Sequence, residues 1–242
     1  GFSTPKFWYQ KRGFFAYLLL PIAWIYQLVH RLNQSKNKQS FKSQIPVICI
    51  GNAVAGGGGK TPTVIALTHL IKTNKIATYP YIITRGYGGS MKEAYLVDLS
   101  KDTPEVIGDE ALLLAHHAAV IVGEDRKKSI EMAQELGADI IIMDDGFFNK
   151  AIHKDIKIIV IDRIMDFGNG LTIPAGPLRE PLKNILPKTN ALITIGPKFH
   201  SDLPVFESEI QITSDHPDKD RYIAFCGIGF PEKFKATLQK SG

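Results

Sequence analysis

Residues 45–73 constrain the chain more than any other stretch. IPVICIG (45–51) is apolar, β-branched and ends in glycine, the pattern of a short buried strand. KTPTVIALTHLIKT (60–73) has helical spacing, with Val64, Leu67, Leu70 and Ile71 expected on one face. Between them runs GNAVAGGGGKTP (51–62), four consecutive glycines leading into Lys-Thr. A strand, a glycine loop and a helix opened by Lys-Thr is the geometry of a nucleotide phosphate cradle. Successive backbone N–H groups point at an anion, and the helix N-terminus adds partial positive charge. The loop residues Val54, Ala55, Gly56, Gly57, Gly58 and Gly59 are therefore expected to wrap the phosphates. Lys60 would reach the β/γ-phosphates and Thr61 would hold Mg²⁺. The usual pattern, G-x-x-x-x-G-K-[ST], has glycine where Val54 stands. The flanking strand and helix supply the context that a flexible glycine linker would lack.

Downstream, apolar runs alternate with helical ones. YPYIIT (79–84), AVIV (119–122), DIIIMD (139–144), IKIIVID (156–162) and NALITIG (190–196) read as buried strands. GDEALLLAHHA (108–118) and DRKKSIEMAQEL (125–136) read as helices, the first with Asp109 and Glu110 in its opening turn, where acids are favoured. The expectation is an α/β fold, a P-loop NTPase-like, mostly parallel sheet flanked by helices. Ligands bind such sheets at the carboxyl ends of strands. One such end carries Asp144 and Asp145, a Walker-B-like acidic pair suited to ordering Mg²⁺. Residues 45–186 are expected to form the nucleotide-binding core. Residues 187–242, with strands at 204–213 and 221–229 and a helix beginning at 230–240, would start a second, incomplete α/β lobe.

Charge is unevenly distributed. Residues 1–92 hold 12 Lys and Arg and no acid, whereas the rest hold 17 bases against 24 acids. A basic N-terminal third suggests an anionic partner. GFFAYLLLPIAWIYQLV (13–29) is uncharged, flanked by Lys11-Arg12 and by Arg31, Lys36 and Lys38, and contains the interfacial residues Tyr17, Trp24 and Tyr26. It is slightly short for a span and interrupted by Pro21 and Gln27. Residues 1–44 are expected to be a membrane-anchor helix and linker, lying on or marginally crossing an anionic lipid surface. No aromatic-basic platform or recognition motif points to nucleic acid. No spacing calls for an obligate protein partner. His69, His116, His117 and His153 show no metal-ligand spacing, and Cys49 and Cys226 sit in apolar runs as reduced, buried thiols would.

The stretches GNAVAGGGGKTP, RGYGG (85–89), GDEALLLA (108–115), DDGF (144–147), DFGNG (166–170), PAGPLREP (174–181) and FCGIGFPEKF (225–234), in this order, resemble the tetraacyldisaccharide 4'-kinase family of the lipid A pathway. The resemblance runs from about residue 5 to the end. It implies an ATP- and Mg²⁺-dependent kinase acting on the 4'-hydroxyl of a tetraacylated glucosamine disaccharide 1-phosphate. It further implies a position at the cytoplasmic face of the bacterial inner membrane. By motif, Asp109 would be the general base, and Arg179 and Glu180 would stand at the transfer site; Arg suits bidentate phosphate contact. Arg85 and Arg126 are further candidates for phosphate or transition-state charge, with a surface salt bridge as the alternative for each. The chain departs from the family at Gly58, where a Thr is usual, and at Phe148-Asn149, where the family has Gln-His. Family members also run longer. A membrane-docked regulatory P-loop ATPase and a catalytically impaired form of the kinase remain alternatives on sequence alone.

Overall fold

The computed structural model describes residues 4–35, 40–56 and 58–210. Gly57 and the expected strand and helix of 221–240, with Cys226, lie outside the described residues. After a 3-10 turn at Lys6–Tyr9, the expected anchor is two helices, α1 (Phe14–Leu18) and α2 (Leu20–Ser35). They meet at Leu19, just before Pro21, whose ring cannot continue a helix from the preceding turn. Among the described residues no helix is long and apolar enough to cross a membrane.

The core then alternates strand and helix. It comprises β1 (Val47–Asn52), α3 (Lys60–Thr73), β2 (Pro80–Thr84), β3 (Tyr95–Leu96), α4 (Pro104–Ile107), α5 (Asp109–Ala115), β4 (Ala119–Val122), α6 (Arg126–Glu135), β5 (Ile140–Asp144), β6 (Ile156–Asp162), α7 (Leu182–Ile185), β7 (Ala191–Ile195) and β8 (Val205–Ser208). The strands form one eight-stranded sheet in the order β3-β4-β2-β5-β1-β6-β7-β8, parallel throughout except for β3. β7 and β8, from the segment expected to open a second lobe, pair in parallel beside β6 and extend the same sheet.

Alternation along the strands sends side chains to two buried faces. Ile48 and Ile50 of β1 pack toward Val64 and Ile71 of α3 and Ile107, Ala111 and Leu114 of α4 and α5. Val47 and Cys49 pack the other way, with Ile130 and Ala133 of α6, Phe147 and Ile152. Each fully buried branched side chain of this kind contributes about 1.5–3 kcal/mol. On α3 the expected apolar face is corrected at Leu70, which is 58% exposed. It lies about 120° round the helix from Val64, outside the arc of Val64, Thr68 and Ile71. Asp125 caps α6, its side chain accepting from the amides of Lys127 and Lys128.

β1 stands at the centre of the sheet, with β5 on one side and β6 on the other. The chain leaves β1 toward β2 and returns from β5 to β6 across it. The carboxyl end of β1 is thus the crevice where the crossovers part, the usual ligand position in open α/β sheets. Register places Ile50 opposite Asp144, so the loop after β1 and the acids after β5 emerge side by side.

Candidate functional site

The glycine loop leaves β1 at Asn52 and re-enters helix at Lys60. Asn52 is fully buried and its Nδ2 donates to the Gly58 carbonyl at 3.1 Å, folding the returning limb back onto the strand. Two glycines are fixed by space as well as backbone. A Cβ on Gly58 would lie 2.6 Å from the Asp162 Cβ at the end of β6, so a side chain here would require that strand end to shift. Gly59 adopts φ +76° as the N-cap of α3, and a Cβ there would collide with the Ile195 side chain. Among the described residues no carbonyl accepts from the amides of Gly58, Gly59, Lys60 or Thr61, leaving these donors at the helix N-terminus open to an anion. Val54 and Ala55 differ. Ala55 N–H donates to Pro177 O at 2.8 Å and Arg179 N–H to Ala53 O at 3.0 Å, so this part of the loop is bolted to PAGPLREP. The Ala55 amide expected to face phosphate is taken by Pro177.

That bolt delivers Arg179 to the acids. Its guanidinium nitrogens lie 3.4 and 3.2 Å from the Asp145 Oδ1 and Oδ2, and Lys60 Nζ lies 3.8 Å from the same Oδ2. Asp145 has φ +52°. Burial pushes its carboxyl up, but Lys60 and Arg179 outweigh burial and hold it below the usual carboxylate range. Asp144 behaves oppositely. It is 2% exposed, and burial pushes it up to about 6, with Lys60 opposing and the Glu110 charge adding to the rise. Its Oδ1 is buried with no hydrogen-bond partner. An orphaned, buried carboxylate oxygen beside Lys60 and the Thr61 end of the glycine loop is the kind of donor a hard divalent cation takes.

Asp109 is exposed at the N-terminus of α5, its Oδ1 accepting the Glu110 amide at 2.9 Å. No ion pair or hydrogen bond among the described residues joins it to Lys60, Asp144 or Asp145. Its neighbour Glu110 is close enough to act on Asp144, which puts the turn at the same end of the sheet. Arg126 is not the surface salt bridge that was one of its alternatives. It is 4% exposed and donates to the Asp144 carbonyl at 3.0 Å, a strut under the acidic pair; burial lowers it to about 10, still charged at neutral pH. Arg85 stays exposed. Glu180 is buried and is bonded to His30 of α2 at 2.9 Å and to Lys188 at 3.3 Å.

Three features escaped sequence reasoning: the Asn52 clamp, the Arg126 strut, and the Phe148 ring 5.9 Å from the Arg179 guanidinium. A polar residue ending a strand just before a glycine run was the available signal for the first. The others depend on long-range packing.

Fold and site together define a P-loop nucleotide-binding protein of the α/β class. A model of the family "Tetraacyldisaccharide-1-P 4'-kinase" matches residues 15–242, and the chain belongs to that family. It is similar to the tetraacyldisaccharide 4'-kinase of Brucella anthropi, 41% identical over 99% of this chain and 73% of that protein, and to that of Brucella suis, 39% identical over the same shares. Among solved structures it is similar to LpxK from Aquifex aeolicus in complex with ATP, at TM-score 0.70 and 30% identity. That match covers 80% of this chain and 64% of the solved one, so the chain spans just under two thirds of its length.

Proposed function

We propose that the protein transfers the γ-phosphate of ATP to the 4'-hydroxyl of a tetraacylated disaccharide 1-phosphate, the lipid A-pathway reaction its family name describes. The observation that carries this reading is the convergence of three separate motifs on one carboxylate: Asp145 of DDGF, touched by Lys60 of GGGGKT and Arg179 of LREP. When bound, Mg²⁺·ATP supplies the phosphoryl group and neutralises its charge. The fit rests on the open amides of Gly58–Thr61, the Thr61 hydroxyl and the partnerless Asp144 oxygen.

In this reading the chain's residues divide the work. The amides and Lys60 would cradle the phosphates, and Thr61, Asp144 and Asp145 would hold or order the metal. Asp145 holds both cations beside the loop mouth, from which Lys60 turns onto the phosphates when they bind. Arg179 neutralises charge on the transferred group. Asp109, exposed and facing solvent, removes the proton from the acceptor hydroxyl as its oxygen bonds phosphorus and ADP departs.

The acceptor's acyl chains require a lipid surface, and α1 and α2 supply a face for one. Phe14, Phe15, Leu18, Trp24, Ile25 and Leu28 are each more than half exposed. Lys11, Arg12 and Arg31 flank this face, as in helices that lie in a membrane interface. The reading places the protein on the cytoplasmic face of the inner membrane. Transfer of labelled γ-phosphate from ATP to the acylated disaccharide 1-phosphate in detergent tests the assignment. It is expected for the wild type and lost in Asp109→Asn; a protein that binds ATP yet transfers nothing would refute it.

A further inference from the structure

Beyond the phosphate cradle the structure holds a second concentration of cationic side chains, around a cleft beneath α2. Its larger lobe, about 300 Å³, lies between the segment after β5 and the start of β6, with Phe148, Lys150, Lys154, Lys157 and Lys188 on its walls. A second lobe of about 250 Å³ shares Lys150, Glu180 and Lys188 and adds His30 and Arg31 of α2. The two lobes adjoin, since those three residues line both.

Among the described residues Glu180 is the one acid on the walls of either lobe, and it is engaged by His30 at 2.9 Å and Lys188 at 3.3 Å. The positive charge of Lys150, Lys154, Lys157 and Arg31 is therefore uncompensated on the cleft walls. Lys154 is the sharpest case. It is 6% exposed, and its ammonium donates to the Asn149 carbonyl; no carboxylate pairs with it among the described residues. Burial, with the nearby Lys157 and Arg126 charges, pulls it down to about 8. A buried ammonium with no carboxylate partner among the described residues is destabilising unless an anion joins it.

The position of the cleft limits what the anion is. Phe148 forms part of its wall, and the same ring lies 5.9 Å from the Arg179 guanidinium, so the cleft adjoins the transfer site across one side chain. On the α2 side, His30 and Arg31 line the cleft while Leu28, Val29 and Leu32 of the same helix are exposed apolar residues. The cleft thus opens beside the proposed lipid-facing surface. Its size admits a single phosphate with part of a sugar or glycerol, not a nucleic-acid strand.

We propose that this cleft is a second phosphate-binding site, which takes a phosphate group presented at the lipid surface through Lys150, Lys154 and Lys157. Two sources share that chemistry: the phosphate the disaccharide acceptor already carries, and the headgroup of an anionic phospholipid. The first rests on the phosphotransfer reading above; the cation cluster and its affinity for phosphate do not.

Co-sedimentation with phosphatidylcholine vesicles, without nucleotide, tests the site. The vesicles carry the tetraacylated disaccharide 1-phosphate, the same disaccharide without phosphate, phosphatidylglycerol, or no addition. The wild type is expected to bind phosphate-bearing vesicles about tenfold or more tightly than the corresponding neutral ones, and Lys150→Gln/Lys157→Gln to lose that difference. Loss confined to the disaccharide arm assigns the acceptor's phosphate; loss in the phosphatidylglycerol arm assigns the bilayer. Lys154→Met should lose the difference and melt higher in phosphate-free buffer, and if it fails to fold the double variant decides alone. Equal binding to phosphorylated and neutral vesicles, or a double variant that keeps the difference, overturns the proposal. Because no nucleotide is present, this test and the phosphotransfer assay fail independently.

Discussion

The glycine loop and the N-terminal helices meet the rest of the protein in opposite ways. Around the loop, geometry is set by backbone and exclusion: Gly58 against Asp162, Gly59 against Ile195, Asn52 on the Gly58 carbonyl. Around the N-terminal helices it is set by a few side-chain bonds across long sequence distances: Gln27 to Thr172 at 2.7 Å, His30 to Glu180 at 2.9 Å, Arg12 before α1 to the Asn169 carbonyl at 3.0 Å. The first region tolerates almost no change of shape. The second holds a helix whose outward side is apolar and unpaired within the described chain. A phosphotransfer site needs rigid donors. A surface that docks on lipid needs only to be held at the correct face. The PAGPLREP segment serves both, pairing with Ala53 and Ala55 on one side and with α2 through Glu180 on the other.

The comparison breaks most readily at Lys60. Lys60→Ala is expected to lower turnover by about 10²–10³-fold with little change in melting temperature, measured by phosphate transfer and thermal denaturation. Next is Asp144→Asn, which separates function from stability. The fold raises this carboxyl from its ordinary 3.8 to about 6 through burial. The stability Asp144 contributes is therefore full below pH 3.8 and lost as pH rises through about 6. Removing the charge should raise the metal-free stability at pH 7.5 by up to about 3 kcal/mol, while Mg²⁺-dependent turnover falls sharply. Adding Mg²⁺ should stabilise the wild type more at pH 7.5 than at pH 5, and the variant equally little at both.

Gly59→Ala probes the loop's rigidity without touching a charge. Left-handed backbone plus the collision with Ile195 should cost about 1–3 kcal/mol, read as a drop in denaturation midpoint. The smallest effect belongs to α2. Gln27→Ala removes one hydrogen bond to Thr172 and is expected to cost about 1 kcal/mol, with ATP affinity unchanged. A loss of ATP binding in that variant would show that the two regions are not separable as described.

The same contrast explains what could be read in the sequence. β1, the glycine loop, α3 and the Asp144-Asp145 end of β5 are local patterns, and the structure places them at the observed crevice. β7 and β8 were legible as strands but not as part of the same sheet, because pairing is a long-range property. The break at Leu19 follows from Pro21, yet the helix runs on to Ser35, past the uncharged run that ends at Val29. Arg126 and Lys154 were unreadable for one reason: nothing in their immediate sequence signals burial of a cation. What holds them in place comes from Asp144 and Asn149, on other elements.

The most direct measurement is a structure of the protein with Mg²⁺ and a non-hydrolysable ATP analogue. The account predicts the terminal phosphates against the Gly58–Thr61 amides, Lys60 turned onto them, and the metal near Thr61 and the now-partnered Asp144 oxygen. Nucleotide bound elsewhere, with Lys60 still on Asp145 and the Asp144 oxygen still alone, would contradict it.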